Sequence, residues 1–364
     1  VKISIIGIGK LGLAMALSTE AKGFEVTGCD LNEDYIKSIN NKTLNSYEPQ
    51  VNELLGKSES FKAVTSLEET LEFSDMIFVL VATPSLPSGE YDHSSVDEVV
   101  EKIAKYKNPD RKKYLVVSCT VMPKYTDTIA KKLKGLNYEV LYNPEFIAQG
   151  TIIKNQYNPD MVLIGCESEE AKEMMKSLYT KWCDKIPSFH FMSRTEAEIC
   201  KIALNCIITT KITFANMVGE ILLDSGYNPD KVLDAIGSDS RIGNKCLKYG
   251  FGFGGPCFPR DNKALYMYAN SIGIDAIISK ACERNNAEHL NYMIKREIAE
   301  NKSKKIIMDC ITYKKDSILL DESQQLGFAI ALAKNGFEVV VKERKVVIDK
   351  LKEIYGDLFK YGIR

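Results

Sequence analysis

The chain is poor in what metal and disulfide chemistry need. It has 3 histidines (His93, His190 and His289), none near another in sequence, which gives little support for a metal site. Its 10 cysteines sit singly, in apolar contexts such as VTGCD and LNCII, with no Cys-x-x-Cys pair. That pattern argues against a zinc site or a disulfide framework, and for reduced thiols in a cytoplasmic protein. Nine are read as packing, with Cys257 the exception. An excess of one charge is also missing. The formal net charge of −1 gives no electrostatic case for nucleic acid or anionic membrane as the main partner. No apolar stretch is read as approaching the roughly 20 residues that span a bilayer. No leader is expected ahead of the strand at Val1, although a start without Met leaves trimming open.

What is present is an ordinary globular composition, 45% hydrophobic and 27% charged, in 364 residues, so two or three domains are expected. KISIIGIGKLGLAMALSTEAKGFEVTGCD reads as strand, tight turn, helix and second strand. Gly7, Gly9 and Gly12 form G-x-G-x-x-G, with Lys10 and Leu11 inside the motif and Asp30 about twenty residues on. Gly7 permits the turn, Gly9 lets a pyrophosphate approach, and Gly12 lets helix pack on strand. The helix N-terminus then offers unpaired N–H groups to phosphate. Asp30 would bind a ribose and repel a 2′-phosphate, so NAD is expected over NADP.

Further strands are expected at DMIFVLVATP, KYLVVSCTV, NYEVLYNPE and DMVLIGC, separated by helices. The alternation predicts a Rossmann-like, doubly wound parallel sheet covered on both faces. Polar stations fall at three strand ends: Thr83-Pro84, Ser118 to Thr120, and Asn143-Pro144-Glu145. From Arg194 to about Ser225 runs a long helix, roughly 45 Å at 1.5 Å per residue, apolar well beyond one stripe. It is suited to bridging domains and to forming a dimer interface. Lys201 and Asn205 share one face of it. Lys201 is either a snorkelling surface residue or a cation aimed into a site. Near Ser303 a strand, helix, strand pattern restarts in a short second α/β lobe, which a helix closes. The expected division is 1–193, a dinucleotide-binding domain; 194–302, a central helical region with the long helix; and 303–364, a smaller α/β nucleotide-binding lobe.

GFGFGGPCFPRDN, from Gly250 to Asn262, puts Cys257 between glycines and a proline followed by an acid. It is either a flexible loop holding a small hydrophobe or a nucleophile loop. Pro259 suits the first turn of a helix, which places Cys257 near a helix N-terminus, where a thiol acidifies.

With GIGKLG, SYEP, VATPS, SCTVMP, NPEFIAQGT, AEICKIALN, SRIGNKCLKYGFGFGGPCFPRDN and ITYKKD in order, nearly the whole chain resembles the nucleotide-sugar dehydrogenases, the UDP-glucose/GDP-mannose dehydrogenase family. The resemblance implies oxidation of the C6 alcohol of a UDP-sugar to a carboxylate with two NAD and one water, UDP-glucose to UDP-glucuronate leading. UDP-N-acetylhexosamines and GDP-mannose are the alternative substrates. It implies that Cys257 is the nucleophile, with Lys201, Asn205 and Asp261 lining the reacting centre, and Thr120 and Glu145 handling water and protons. Phe146, Gln149, Phe253, Gly254, Lys248 and Lys314 would contact the sugar nucleotide. Arg241 would reach a partner subunit's site in a homodimer. Thr83, Pro84 and Thr120 would join the glycine motif at the cofactor.

This sequence departs from the family at Gln149, where a second glutamate is usual, so Glu145 or Asp261 must carry that proton work. Cys246 replaces an aromatic. Asp321 stands in place of a cofactor-side arginine, a reversal of sign. Two rival readings remain at this stage. A two-electron 3-hydroxyacid dehydrogenase has no need of Cys257. A non-catalytic nucleotide-sugar binder does not explain why Cys257, Lys201, Asn205 and Asp261 all remain.

Overall fold

Short apolar runs bounded by glycine or polar turns make the strands β1 (Lys2–Ile6), β2 (Glu25–Cys29), β3 (Lys62–Val64), β4 (Met76–Val79), β5 (Lys113–Val117), β6 (Tyr138–Tyr142), β7 (Met161–Gly165) and β8 (Ser188–Met192). Among them lie α1 (Lys10–Glu20), α2 (Glu33–Asn40), α3 (Val51–Lys57), α4 (Leu67–Phe73), α5 (Ser94–Lys105), α6 (Tyr125–Lys132), α7 (Ile152–Tyr157) and α8 (Glu169–Trp182). The computed structural model describes every residue but Ala148 and Asp316. It divides into two units, Val1–Lys201 and Ile202–Arg364.

In the first unit the strand order is β3-β2-β1-β4-β5-β6-β7-β8. Successive side chains on a strand face opposite ways, and here both faces are apolar. Ile3, Ile5, Met76, Phe78, Tyr114 and Val116 join one buried cluster with α1 and α8. Ile6, Ile77, Val79, Leu115 and Val117 join another with α5 and α6. That is the doubly covered sheet the alternation predicts. It switches direction of winding between β1 and β4, where ligands of such sheets bind. Side-chain caps begin several helices: Asn32 accepts the Tyr35 N–H, Ser66 that of Glu69, and Ser168 that of Ala171.

Ile202–Arg364 contains most of α9 (Arg194–Asp224), then α10 (Pro229–Ser238), α11 (Phe258–Ser271) and α12 (Ile277–Glu300). A parallel three-stranded sheet follows, ordered β11-β10-β9. It is built from β9 (Lys305–Met308), β10 (Glu338–Glu343) and β11 (Lys360–Ile363), with α13 (Gln324–Lys334) and α14 (Lys345–Tyr355) between them. Met308, Leu326, Phe328, Val339, Val341 and Leu351 make its core.

Several expectations need correction. The large sheet is not wholly parallel, because β7 runs antiparallel to β6. The intervening α7 packs Ile152 and Ile153 into the cluster beside α1. Strands β3 and β8 were not foreseen: the first has 3 residues, and the second lies at the sheet edge. The closing helix is followed by β11, where four residues with little apolar patterning pair with β10. α9 does have the length and composition to cross a membrane, with an 18-residue window of mean hydropathy 1.4. A core helix meets the same test, and here Ala197, Ile202, Cys206 and Ala215 of α9 are buried.

Candidate functional site

The nucleotide cleft forms at the carboxyl ends of β1, β2 and β4. Gly7 leaves β1 at φ +89°, a region that only glycine enters without strain, and a Cβ there would stand 2.8 Å from the Leu80 carbonyl oxygen. A Cβ on Gly12 would lie 2.0 Å from the Gly7 carbonyl oxygen, so the helix can approach the turn only with glycine there. Gly9 differs: among the described residues, none beyond its own chain neighbours lies within 4 Å of where its Cβ would be. Open space at Gly9, beside the α1 N-terminus, suits a pyrophosphate. A cleft of about 430 Å³ there includes Gly7, Gly9, Asp30 and Leu31 in its lining. Asp30 follows the last residue of β2, and its Oδ1 accepts the Asn32 N–H at 3.2 Å. The residues present fit NAD.

The three polar stations stand at the ends of the adjacent strands β4, β5 and β6, where Ser118 N–H donates to the Val79 carbonyl and Asn143 N–H to that of Val117. Thr83 is buried, and its hydroxyl donates to the Thr120 carbonyl at 2.8 Å, tying two stations together. Pro84 is exposed, and its carbonyl accepts the Asp92 N–H. His93 Nε2 accepts the Met122 N–H at 3.1 Å, and burial pushes this imidazole below its ordinary pKa, consistent with a neutral acceptor.

Lys201 points inward. It is 9% exposed, its Nζ donates to the Glu145 carbonyl at 2.7 Å, and it lies 4.6 Å from the centre of the Phe146 ring. Desolvation pushes the half-buried Glu145 carboxyl up to about 7, with the Lys201 charge opposing. A carboxyl near 7 can both take and release protons at neutral pH. Lys10 reaches back from the glycine motif to Gln149 Oε1 at 3.3 Å, and Leu11 packs on the core.

A residue that sequence reasoning passed over holds this loop. Glu48, in SYEP, is 7% exposed, and its two carboxylate oxygens accept the Gly150 and Ile152 N–H groups, each at 2.9 Å. Its sequence signal was the SYEP stretch that helps carry the family resemblance, to which no role was attached.

In the second unit Cys257 caps α11, with Pro259 in the first turn, and its thiol residue is exposed. One turn on, Asp261 is 1% exposed. Its Oδ2 accepts from the Asn205 amide at 2.6 Å, and its N–H donates to the Cys257 carbonyl at 2.8 Å. Five of the other cysteines (Cys29, Cys166, Cys183, Cys200 and Cys206) have thiols pushed up by burial, those of Cys183 and Cys206 to about 12, which suits packing rather than reaction. The expectation that nine pack inward fails at Cys246, which is exposed at φ +62°.

The glycines before Cys257 serve close packing rather than flexibility. A Cβ on Gly254 would lie 2.1 Å from the Glu322 carbonyl oxygen, and one on Gly255, at φ +80°, 2.4 Å from the Tyr313 ring. Phe253 is buried. Asp321 is exposed, while its carbonyl accepts the Gly255 N–H at 3.0 Å, so the backbone at this position supports the loop despite the reversed charge. Lys248 and Lys314 are exposed, and the exposed Arg241 binds Asp239 of its own turn at 2.7 Å.

The profile described as UDP-glucose/GDP-mannose dehydrogenase family, NAD binding domain, matches residues 1–183, and that of the family's central domain matches 195–288. UDP-glucose 6-dehydrogenase of Rickettsia bellii is 31% identical over 321 residues, 86% of this chain and 74% of that one. UDP-glucose 6-dehydrogenase TuaD of Bacillus subtilis is 32% identical over 304 residues, 81% of this chain and 65% of that one. A solved UDP-glucose dehydrogenase from the archaeon Pyrobaculum islandicum matches with a TM-score of 0.88 at 28% identity, over 99% of this chain and 85% of that one. With the glycine turn, Asp30 and both family domains in one chain, the protein belongs to the UDP-glucose/GDP-mannose dehydrogenase family and is an NAD-dependent nucleotide-sugar dehydrogenase.

Proposed function

We propose that the enzyme carries out a four-electron oxidation of the C6 alcohol of a nucleotide sugar, UDP-glucose to UDP-glucuronate being the leading case. Gly7, Gly9, Gly12 and Asp30 would hold NAD, with Thr83 and Thr120 at the neighbouring strand ends. NAD, when bound, accepts one hydride in each of two oxidations. The first oxidation removes the hydroxyl proton and a hydride from C6 and leaves an aldehyde. The Cys257 thiolate then adds to the aldehyde carbon, and the oxygen takes a proton to give a thiohemiacetal. Loss of that proton and of the second hydride leaves a thioester. A carboxylate, Glu145 or Asp261, draws a proton from water as it attacks the thioester carbonyl. Collapse releases the Cys257 thiolate and the product carboxylate. Lys201 and the Asn205 amide are the donors for the oxyanions formed on the way.

The observation that carries this reading is the exposed Cys257 at the head of α11, one turn from a buried Asp261 bonded to Asn205. A two-electron oxidation gives such a thiol nothing to do. Cys257→Ser tests it. The unaltered enzyme should form two NADH per sugar carboxylate, while the variant should keep NAD binding and lose turnover, with no rescue by added 6-aldehyde. Normal turnover by Cys257→Ser would make the cysteine a packing residue.

We propose further that the enzyme is a homodimer built on α9. Ile207 and Ile221 are 55% and 60% exposed, and apolar surface of this kind on one helix marks an interface. Sedimentation at micromolar concentration decides it, and a monomer there refutes it.

A further inference from the structure

Gly250 opens the loop that ends on Cys257, and side chains from two helices hold its first residues. On α9, Asn216 is 1% exposed and its side-chain oxygen accepts the Gly250 N–H at 3.0 Å. On α12, Asn286 spans Phe253: its oxygen accepts the Phe253 N–H at 2.9 Å, and its amide donates to the Phe253 carbonyl at 2.9 Å. Three residues on, His289 is 1% exposed. Its Nε2 lies 2.7 Å from the Gly250 carbonyl oxygen, and its Nδ1 lies 2.6 Å from Glu220 Oε1 on α9. The Tyr249 ring meets the imidazole edge-on at 5.6 Å, in space left by the missing side chain of Gly219.

Both oxygens facing the imidazole accept hydrogen bonds, for neither a carbonyl nor an ionised carboxylate has a proton to give. The imidazole turns one nitrogen toward each of them, and leaving a group this deeply buried unpaired is costly. The ionisable groups acting on the neighbouring Tyr249 are Glu220 and Asp224 on α9 and Tyr292 and Arg296 on α12. Tyr292 and Arg296 are engaged with Asp224, and Arg296 also with Glu300. Glu220 is the group in direct contact with the imidazole.

We infer that Asn286 and His289 are positioning residues for the oxidation: α12 straps the Gly250–Phe253 backbone, with Glu220 holding the imidazole from α9, and so sets where Cys257 stands. The inference rests on Cys257 being the nucleophile. Between Phe253 and Cys257 the wedged Gly254 and Gly255 leave the backbone little slack, so a shift at Phe253 passes on to the thiol. Displacing a reacting group by about 1 Å costs on the order of 100-fold in rate.

The test uses the whole chain as His289→Gln and Asn286→Ala beside the unaltered protein. With 15N-labelled histidine, one of the 3 imidazoles should show a ring N–H protected from exchange, and its signal should vanish in His289→Gln. Amide hydrogen exchange over residues 250–257 should rise about tenfold or more in His289→Gln, with other peptides unchanged. In that variant kcat should fall about tenfold or more while the KM for NAD holds. In Asn286→Ala, which removes both bonds to Phe253, exchange over the same residues should rise likewise. Unaltered exchange in His289→Gln would overturn the proposal. If His289→Gln does not fold, unaltered exchange in Asn286→Ala overturns it. Normal turnover by Cys257→Ser would end the nucleophile reading but leave the exchange and NMR results standing. An inactive Cys257→Ser with undisturbed exchange in His289→Gln would end the strap alone.

Discussion

The Asn205 amide donates to the Asp261 carboxylate at 2.6 Å, so a helix that begins far upstream orients the acid one turn beyond Cys257. Asp261 is 1% exposed, and a hydrogen bond to a buried charged group contributes about 1.5–3 kcal/mol. Asn205→Ala should therefore lower the free energy of unfolding by about that much, read from the urea midpoint. Turnover should fall as well, since Asp261 loses its orienting donor. A midpoint equal to that of the unaltered protein would show that the bond does not hold in solution.

Glu145 predicts a pH dependence. Its carboxyl, pushed up to about 7 by desolvation, is largely protonated below that value and cannot take a proton from water. Turnover should rise with pH through about 7, and Glu145→Gln should abolish that limb and slow thioester hydrolysis roughly 10²–10⁴-fold. Stability follows the opposite course. A carboxyl raised on folding contributes stability at low pH that is lost as pH rises through its folded value. The decline through about 7 should be shallower in Glu145→Gln. An unchanged acidic limb in that variant would assign the base elsewhere.

Asp30 should make NAD strongly preferred over NADP, because its carboxylate stands at the end of β2, where a ribose would lie, and repels a 2′-phosphate. Asp30→Ala should narrow the gap in kcat/KM. Equal kcat/KM for the two cofactors in the unaltered enzyme would refute this.

Glu48 predicts a defect without direct contact to substrate. Both its oxygens accept backbone N–H groups of the loop after Glu145. Glu48→Ala leaves two N–H groups unpaired and should cost about 1–3 kcal/mol of stability. Hydrogen exchange at Gly150 and Ile152 should rise with it. Full protection at both amides in the variant would show that the loop does not need this acid.

The dinucleotide fold was legible because its signals are local. Gly7, Gly9, Gly12 and Asp30 belong to one strand, turn, helix, strand unit, and each glycine's role follows from the geometry of that unit. Cys257 at the head of α11 was legible for the same reason, since Pro259 marks a first helical turn. The reversal at β7 and the edge strand β8 were not, because strand direction and edge pairing depend on where the chain returns across the sheet.

By itself the sequence determined the glycine turn, the apolar strands and the long α9, since backbone conformation and side-chain period act over a few residues. Tertiary structure alone decided which distant groups meet. Lys201 turns inward to the Glu145 carbonyl, Glu48 takes the N–H groups of Gly150 and Ile152, and Asn205 takes Asp261. A buried charge or N–H must find a partner wherever packing brings one, and no local pattern records which partner that is.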